Sequence, residues 1–286
     1  MPWFPVMPPP WRRRGWIWLV AGTEDGVWAA RQLLALAVPV RVQVVSPRAC
    51  RAYGPLTANP AFQCQAMAMG PGDIHQVLAG PAPPALVVDA THPFALRITR
   101  TLHSACSAAA VPYLRLQRPQ IQPGAATLMH RLEAVQDLGQ SSLLAAIGSR
   151  SLARLVAWHG PRHTAARILP TATALQQALA AGLPPERIAP LQPVSASHGE
   201  MHLPPDPATS LEAALCRRWA VDVVLARQSG GTPERHWHRV CAAVGVSLWL
   251  LRRPQESGPM VVCTRDTLCQ RVQDCLWKTW SRAADT

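Results

Sequence analysis

The sequence predicts an α/β protein with two doubly wound parallel-sheet domains and a cleft between them. Short apolar segments of strand length alternate with amphipathic segments of helix length, which is typical of parallel βαβ units. The alternation restarts after Gln120. Both halves also end in a strand, a basic residue and a proline, at Leu116–Pro119 and at Leu251–Pro254. We therefore expect two Rossmann-like domains.

The first half begins with a predicted strand over Trp16–Ala21 and an amphipathic helix that runs to about Val38. The other elements predicted here are a strand at 40–46, a looser region at 48–84, a strand at 86–89, a helix from about 93 to 110 and a strand at 112–116. Pro93 is expected to open that last helix, because proline suits the first helical turn, and Thr91 to cap its free amides.

The second half contains a further series of strands and helices. Strands are predicted at 143–147, 165–169, 221–226 and 246–251, helices from 151, at 173–181, at 211–219 and at 233–244, and a polar, proline-rich loop at 192–207. These elements define an N-terminal domain at 16–120 and a C-terminal domain at 121–286 that includes a terminal strand and helix. Residues 1–15, rich in proline, tryptophan and arginine, are expected to form a flexible tail.

Composition narrows the class of protein. No apolar run among the 286 residues reaches the length of a bilayer span, and the first residues lack the pattern of a signal peptide. The eight cysteines form no Cys-x-x-Cys pair, which is expected of reduced thiols in a cytoplasmic enzyme. We expect no membrane association.

The net charge of +12 rests almost wholly on arginine, since Lys278 is the only lysine. A basic chain favours an anionic partner. The charges are spread singly and no nucleic-acid-binding motif is present, so a small polycarboxylate substrate or a phosphate-rich cofactor fits better than nucleic acid. Solubility or genome composition explains the charge equally well.

The segment Val87–Ala95 is the most informative stretch of the chain. Its two valines close an apolar strand, and Thr91 and His92 follow at the carboxyl end of that strand. Ligands bind at this end of the strands in open α/β sheets. The alternative is a plain strand–helix turn in which His92 has no functional role.

A second candidate site follows the first strand. Gly22, Thr23 and Glu24 form a turn into a helix, whose free amides and positive dipole end favour phosphate. The turn lacks the Gly-x-Gly-x-x-Gly fingerprint, and its acids would repel a pyrophosphate that they faced. After the second strand, Arg48 stands where an NAD-selective domain carries an acid, which favours NADPH, although NADH stays possible and Arg48 can equally be a solvated loop residue.

Several chemistries are excluded by motif. A single lysine, Lys278, allows no Walker A loop and no Tyr-x-x-x-Lys dyad, and no Gly-x-Ser-x-Gly is present. The histidine pairs at 159/163 and 198/202 enclose glycine or proline, which breaks a metal-binding helical face. We therefore expect no metal site.

Taken in order, several segments resemble signatures of the precorrin-6A reductases, oxidoreductases of corrin-ring biosynthesis. These segments are the Thr91-His92-Pro93 peptide, the Gly22-Thr23-x-Asp25 region, Tyr113-x-Arg115-x-x-Arg118-Pro119, Arg227-Gln228-Ser229-Gly230-Gly231, Arg239-x-x-Ala242-Ala243 and the closing strand with Arg253-Pro254. The chain departs from the family where Ala21 replaces a glycine, where Gly148-Ser149-Arg150 replaces Thr-Gly-Arg, and where Gln228 replaces an acid or asparagine.

The resemblance implies NAD(P)H-dependent reduction of a ring double bond of precorrin-6A, or its cobalt form, to precorrin-6B. It implies a catalytic role for Thr91 and His92, and cofactor binding by Gly22, Thr23, Glu24, Arg48, Ser229, Gly230 and Gly231. Arg115, Arg118, Arg150 and Arg239 would bind the carboxylates of the tetrapyrrole. The alternatives are another Rossmann-type enzyme acting on nucleotides and a divergent, non-catalytic tetrapyrrole- or nucleotide-binding protein.

Overall fold

The structure, a computed structural model, describes residues 15–194, 205–256 and 260–284, with side chains to residue 277. It divides into two compact units. The first holds the chain up to Arg118 and again from Pro254, and the second holds Pro119–Arg253. The predicted tail, except Gly15, and the histidines at 198 and 202 lie outside the described residues.

The elements follow one another in the alternating order of an α/β protein. The first stretch contains β1 (Ile17–Ala21), α1 (Glu24–Ala35), β2 (Val40–Val44), α2 (Pro47–Cys50), β3 (Phe62–Ala66), α3 (Pro71–Leu78), β4 (Leu86–Ala90), α4 (Leu96–Ala108) and β5 (Tyr113–Leu116). The second contains β6 (Thr127–Met129), β7 (Leu143–Ala145), α5 (Leu152–His159), β8 (Thr164–Ile168), α6 (Ala172–Ala180), β9 (Ile188–Pro190), α7 (Leu211–Arg218), β10 (Val223–Arg227), α8 (Thr232–Val244) and β11 (Ser247–Leu251). The chain ends with β12 (Val262–Cys263) and α9 (Leu268–Ala284).

Each unit is built on one sheet. Within the described ranges, the first sheet has the order β12-β5-β4-β1-β2-β3 and the second the order β6-β11-β10-β7-β8-β9. All the pairings found there are parallel. The predicted fold class of two doubly wound parallel-sheet domains is therefore confirmed.

The assignment of the terminal strand and helix to the second domain is wrong. β12 pairs with β5 of the first sheet, with Val262 opposite Arg115, and α9 packs Leu268 and Val272 into the core of the first unit. The first strand of the second unit, β6, lies at one edge of its sheet, next to β11. Strands this short have no sequence pattern that identifies their partner, so only tertiary packing places them.

The looser region predicted at 48–84 contains regular structure. β3 pairs with β2 along its length, and α3 starts after Gly70 with Pro71 in its first turn. The alternation of polar and apolar residues in β3 reflects its place at the sheet edge, where one face stays exposed. That pattern differs from the continuous apolar runs of the central strands.

The helix after β4 begins at Leu96 rather than at Pro93, and Thr91 does not cap it. The intervening residues form a turn closed by a hydrogen bond from the Ala95 amide to the His92 carbonyl at 2.8 Å. This turn separates Thr91 and His92 from the helix. No helix in the described residues is both long and apolar enough to cross a bilayer.

Helices cover both faces of each sheet. In the first unit, α1 and α9 pack on one face, and α3 and α4 on the other. Gly26 lets α1 approach β1 closely, because an added Cβ would lie under 3.0 Å from both the Ala21 Cβ and the Tyr53 hydroxyl. In the second unit, α5 and α6 cover one face, and α7 and α8 the other.

We expect Gly26→Ala to lower the free energy of unfolding by about 1–3 kcal/mol, because the new methyl group has no space. Gly72→Ala is the matched control, since it also lies in a helix but its Cβ meets nothing within 4 Å. Denaturant titration measures both variants. Equal stability of the two would contradict the packing described for Gly26.

Candidate active site

The strand order of the first sheet reverses between β1 and β4. The two strands pair in register, with Ala21 opposite Ala90. The turns that follow them, Gly22–Thr23 and Thr91–His92, are therefore neighbours at the carboxyl edge of the sheet. Reversal points of this kind open a crevice in which α/β proteins bind ligands.

Thr23 links the two turns. Its hydroxyl accepts a hydrogen bond from the Asp25 amide at 3.2 Å, which caps α1, and donates to the Ala90 carbonyl at 3.5 Å. Gly22 is exposed, and an added Cβ there would meet nothing within 4 Å. The start of α1 therefore presents an open backbone next to the end of β4.

Two arginines compensate the acids of the first turn. Arg118 forms ion pairs with Asp25 and, at 3.7 Å, with Glu24. Arg265 donates from Nε and Nη2 to Asp25 Oδ1 at 3.0 and 2.7 Å. The acids therefore do not leave this turn with a net negative charge. Arg118, which the sequence predicts to bind substrate, therefore already has two carboxylate partners within the chain.

The turn after β4 rests on a buried polar network. Asp89 accepts from the Thr91 amide at 2.9 Å and from the Tyr113 hydroxyl at 2.8 Å. Arg115, only 1% exposed, donates to the Asp89 carboxylate at 3.0 Å and to the Thr91 carbonyl at 3.0 Å. Its Nε donates to Glu256 at 2.8 Å. The predicted role of Arg115 in substrate binding must be corrected, because the side chain is buried and its partners belong to the chain.

The charges of this network alter the titration of its members. Burial opposes the charge on Arg115, but the carboxylates of Asp89 and Glu256 outweigh it and raise the pKa of Arg115. Burial and then the negative charge of Asp89 raise the pKa of Tyr113 far above its ordinary value. The guanidinium therefore stays charged and the phenol protonated, so that both act as permanent donors.

His92 and Thr91 differ in what they present. The Thr91 hydroxyl is buried and lies 3.3 Å from the Thr99 hydroxyl. His92 is half-buried, and its Nδ1 accepts from the Phe94 amide at 3.2 Å. With Nδ1 as an acceptor, the proton of the neutral imidazole lies on Nε2. His92 is therefore the better candidate for contact with a substrate.

Arg48 lies on the same edge of the first sheet, because β2 is the parallel neighbour of β1. It is exposed in the short helix α2, which Ser46 caps by accepting from the Ala49 amide at 3.4 Å. Arg48 follows the strand next to the Gly22 turn, the position from which Rossmann domains contact the ribose.

The second sheet reverses its order between β7 and β10. Gly148, with φ of 87°, follows β7, and an added Cβ would lie 3.6 Å from Arg227 Nη2 at the end of β10. Burial lowers the pKa of Arg227, and the positive charge of Arg150 lowers it further. The structure thus brings Arg150 and Arg227 together, and they form a cationic edge on the second sheet.

The Ser229–Gly231 turn lies beside this cationic edge. Its three residues are buried, Gly230 has φ of 72°, and the Gly230 amide donates to Glu234 Oε2 at 2.5 Å. Gln228 accepts from the Arg253 amide at 3.2 Å. The glutamine that departs from the family pattern therefore holds the segment after β11.

Arg239 lies apart from this turn. It stands seven residues into α8, roughly 10 Å along the axis from the helix start. Its Nη2 donates to the Pro205 carbonyl at 2.9 Å. The described residues contain no group of three or more His, Cys, Asp or Glu side chains placed to bind a metal ion.

Four charged residues that shape the two edges are not among the predicted site residues. Glu234 had a local signal, because it stands in the first turn of α8 close to the glycines. Asp89 lay inside the most informative segment. Glu256 and Arg265 had no such signal, since their partners lie 141 and 240 residues away.

Comparisons with known proteins agree on one family. The family model described as precorrin-6x reductase CbiJ/CobK matches residues 16–276. A cobalt-precorrin-6A reductase from Synechocystis is 31% identical over 272 residues, which cover 91% of this chain and 95% of that protein. A precorrin-6A reductase from Mycobacterium tuberculosis is 30% identical over 175 residues, or 59% of this chain and 63% of its own.

A solved structure of CobK precorrin-6A reductase has a similar fold. The TM-score is 0.68 at 18% identity, and the match covers 91% of this chain and 97% of that one. This similarity independently supports the two-sheet architecture.

We expect Glu234→Ala to lower the free energy of unfolding by about 2 kcal/mol, because it leaves the buried Gly230 amide without an acceptor. Glu234 is 1% exposed. Glu133→Ala is the control, since its ion pair with Arg154 is exposed and such pairs contribute about 0–1 kcal/mol. Urea denaturation compares the two, and a loss no larger than that of the control would rule out the anchoring role of Glu234.

Proposed function

The chain belongs to the precorrin-6x reductase family, oxidoreductases of cobalamin biosynthesis, and we propose that it reduces a ring double bond of precorrin-6A, or its cobalt form, to precorrin-6B with NADPH. The main support is the reversal point of the first sheet, where the Gly22–Thr23 turn and His92 are neighbours. Hydride transfer requires cofactor and substrate to be held next to each other, and these two turns lie side by side at one edge of the sheet.

The first unit fits a nicotinamide dinucleotide. Gly22 leaves room for close approach, and the start of α1 favours an anion. Glu24 and Asp25 by themselves would repel the pyrophosphate of the cofactor, and the positive charges of Arg118 and Arg265 offset that repulsion. Arg48 would contact the additional phosphate of NADPH, which supports that cofactor over NADH.

When bound, a reduced nicotinamide would supply the hydride for a ring carbon of the substrate, and a proton taken up with it would settle on the neighbouring pyrrolic nitrogen. The chain has to hold the substrate in line and exclude water, work in which orientation provides most of the acceleration. We assign Thr91 and His92 different roles in catalysis. His92 would donate from Nε2 to the substrate, while Thr91 fixes the turn through its buried hydroxyl.

The second unit would bind carboxylates of the tetrapyrrole. Arg150 and Arg227 lie at its reversal point, and guanidinium groups pair well with carboxylates. The turn formed by Ser229, Gly230 and Gly231 would contact the ligand, although the Gly230 amide already donates to Glu234. Arg150 thus keeps the carboxylate-binding role predicted for it, and we add Arg227 to that role.

We also propose that the protein is a cytoplasmic enzyme, and that its partner is a small tetrapyrrole rather than nucleic acid. Arg115, Arg118 and Arg265 form ion pairs with acids of the chain itself. These pairs are already balanced in the net charge of +12, but they leave three fewer arginines for contact with a polyanion.

The central test adds precorrin-6A to the protein with NADPH and follows the loss of nicotinamide absorbance. We expect turnover, and about a 10- to 100-fold lower kcat for His92→Ala, because the substrate loses a donor that orients it. His75→Ala, which removes an exposed histidine of α3, should behave as wild type. Binding of the tetrapyrrole without loss of NADPH would favour the non-catalytic alternative, and NADPH oxidation at wild-type rate by the His92 variant would reject the role of His92.

The choice of cofactor is tested at Arg48. We expect Arg48→Ala to raise KM for NADPH about tenfold and to leave KM for NADH unchanged, since a hydrogen bond to a charged phosphate contributes about 1.5–3 kcal/mol. Arg51→Ala is the matched control, because Arg51 is exposed three residues later. An equal effect of Arg48→Ala on both cofactors would contradict phosphate recognition.

A further inference from the structure

We infer that Arg115 and Glu256 are positioning residues for the Thr91–His92 turn, with Glu256 holding the guanidinium and Arg115 holding the turn. This inference rests on the proposed function, because it assigns to two buried side chains the placement of His92. It concerns residues that lie behind the turn and do not contact substrate.

The first step is the contact between Arg115 and the turn. Arg115 Nη1 donates to the Thr91 carbonyl at 3.0 Å and lies 3.4 Å from the Thr91 hydroxyl. The Thr91 carbonyl shares a rigid peptide plane with the backbone nitrogen of His92. Fixing that carbonyl therefore fixes the point from which the His92 side chain starts.

The second step is the contact between Glu256 and Arg115. Glu256 Oε1 accepts from Arg115 Nε at 2.8 Å, on a different nitrogen from the one that faces the turn. The guanidinium is planar and rigid, so holding Nε sets the direction of Nη1. The other carboxylate oxygen of Glu256 accepts from Gln117 Nε2 at 2.5 Å, which fastens the segment of Glu256 to the residue that follows β5.

The third step is the balance of charge. Asp89 accepts from Nη1 of the same guanidinium at 3.0 Å and also receives the Thr91 amide and the Tyr113 hydroxyl. Asp89 alone already pairs Arg115 with a buried carboxylate. The second carboxylate, that of Glu256, lies on the segment that returns to this unit at Pro254. It adds a contact on the Nε side of the Arg115 guanidinium, and this contact orients the group.

A purely structural role for Glu256 predicts something different. In that case Glu256 would only fasten the segment that leads to β12, and its loss would lower stability without a specific effect on turnover. The two roles can be separated because Gln117 fastens the same carboxylate through Oε2, whereas Arg115 donates to Oε1.

The experiment compares Glu256→Ala, Glu256→Gln and Gln117→Ala in the full chain, with kcat, both KM values and the urea midpoint measured for each. We expect Glu256→Ala to lower kcat about tenfold with KM for precorrin-6A nearly unchanged, and Glu256→Gln to restore most of kcat, because its amide oxygen still accepts from Arg115 Nε. Gln117→Ala should keep kcat within about twofold of wild type. Wild-type kcat in Glu256→Ala, or no rescue by Glu256→Gln, overturns the inference.

Arg115→Lys tests the link to the turn if Glu256→Ala does not fold. We expect lower kcat with unchanged KM for precorrin-6A, whereas a raised KM with unchanged kcat would restore Arg115 as a substrate ligand and overturn the inference.

A measurement without substrate separates this inference from the proposed function. We expect Glu256→Ala, or Glu256→Gln to a smaller degree, to shift the imidazole resonances of His92 in NMR spectra and to leave those of the exposed His75 in place. Unchanged His92 resonances overturn the positioning role. If the wild-type protein does not oxidise NADPH with precorrin-6A, the proposed function fails while this spectroscopic test still stands.

Discussion

The reversal of strand order at the centre of each sheet is the constraint on which both candidate sites depend. The helices that follow β1 and β4 pack on opposite faces of the first sheet, and those that follow β7 and β10 on opposite faces of the second. Right-handed crossovers require this divergence where the order reverses. A crevice can therefore form between the diverging helices at the carboxyl edge, which is where α/β proteins place ligand-binding residues.

The two edges handle charge differently. In the first unit, carboxylates and guanidinium groups neutralise one another, as Arg115 does with Asp89 and Arg118 with Asp25. In the second, Arg150 lies close enough to depress the pKa of Arg227. A neutral, rigid edge suits precise placement of a cofactor and a catalytic turn, while a cationic edge suits an anionic substrate.

The chain passes from one unit to the other next to the edge strands β6 and β12. After β5 the chain leaves the first sheet and enters the second, where β6 is an edge strand. After β11 it returns to the first sheet, where β12 is the edge strand next to β5. The returning segment does more than close a sheet, because it also delivers Glu256 to Arg115 and Arg265 to Asp25. Residues far apart in sequence thus stabilise both turns of the first edge. The C-terminal segment therefore contributes to the stability of the first unit.

The fold class and the turns of the candidate site could be predicted from the amino-acid sequence, because buried parallel strands leave continuous apolar runs and the turns at their carboxyl ends follow directly. Gly22, Thr91, His92 and Ser229 were predicted at strand ends, where the structure has them. The folded chain was needed to show that Arg115 and Arg118 face acids of the chain rather than solvent, and that β12 and α9 belong to the first unit. The physical reason is that burial and ion pairing depend on partners brought from distant positions, and a single arginine in a strand looks the same whether its partner is a substrate or a carboxylate 141 residues away.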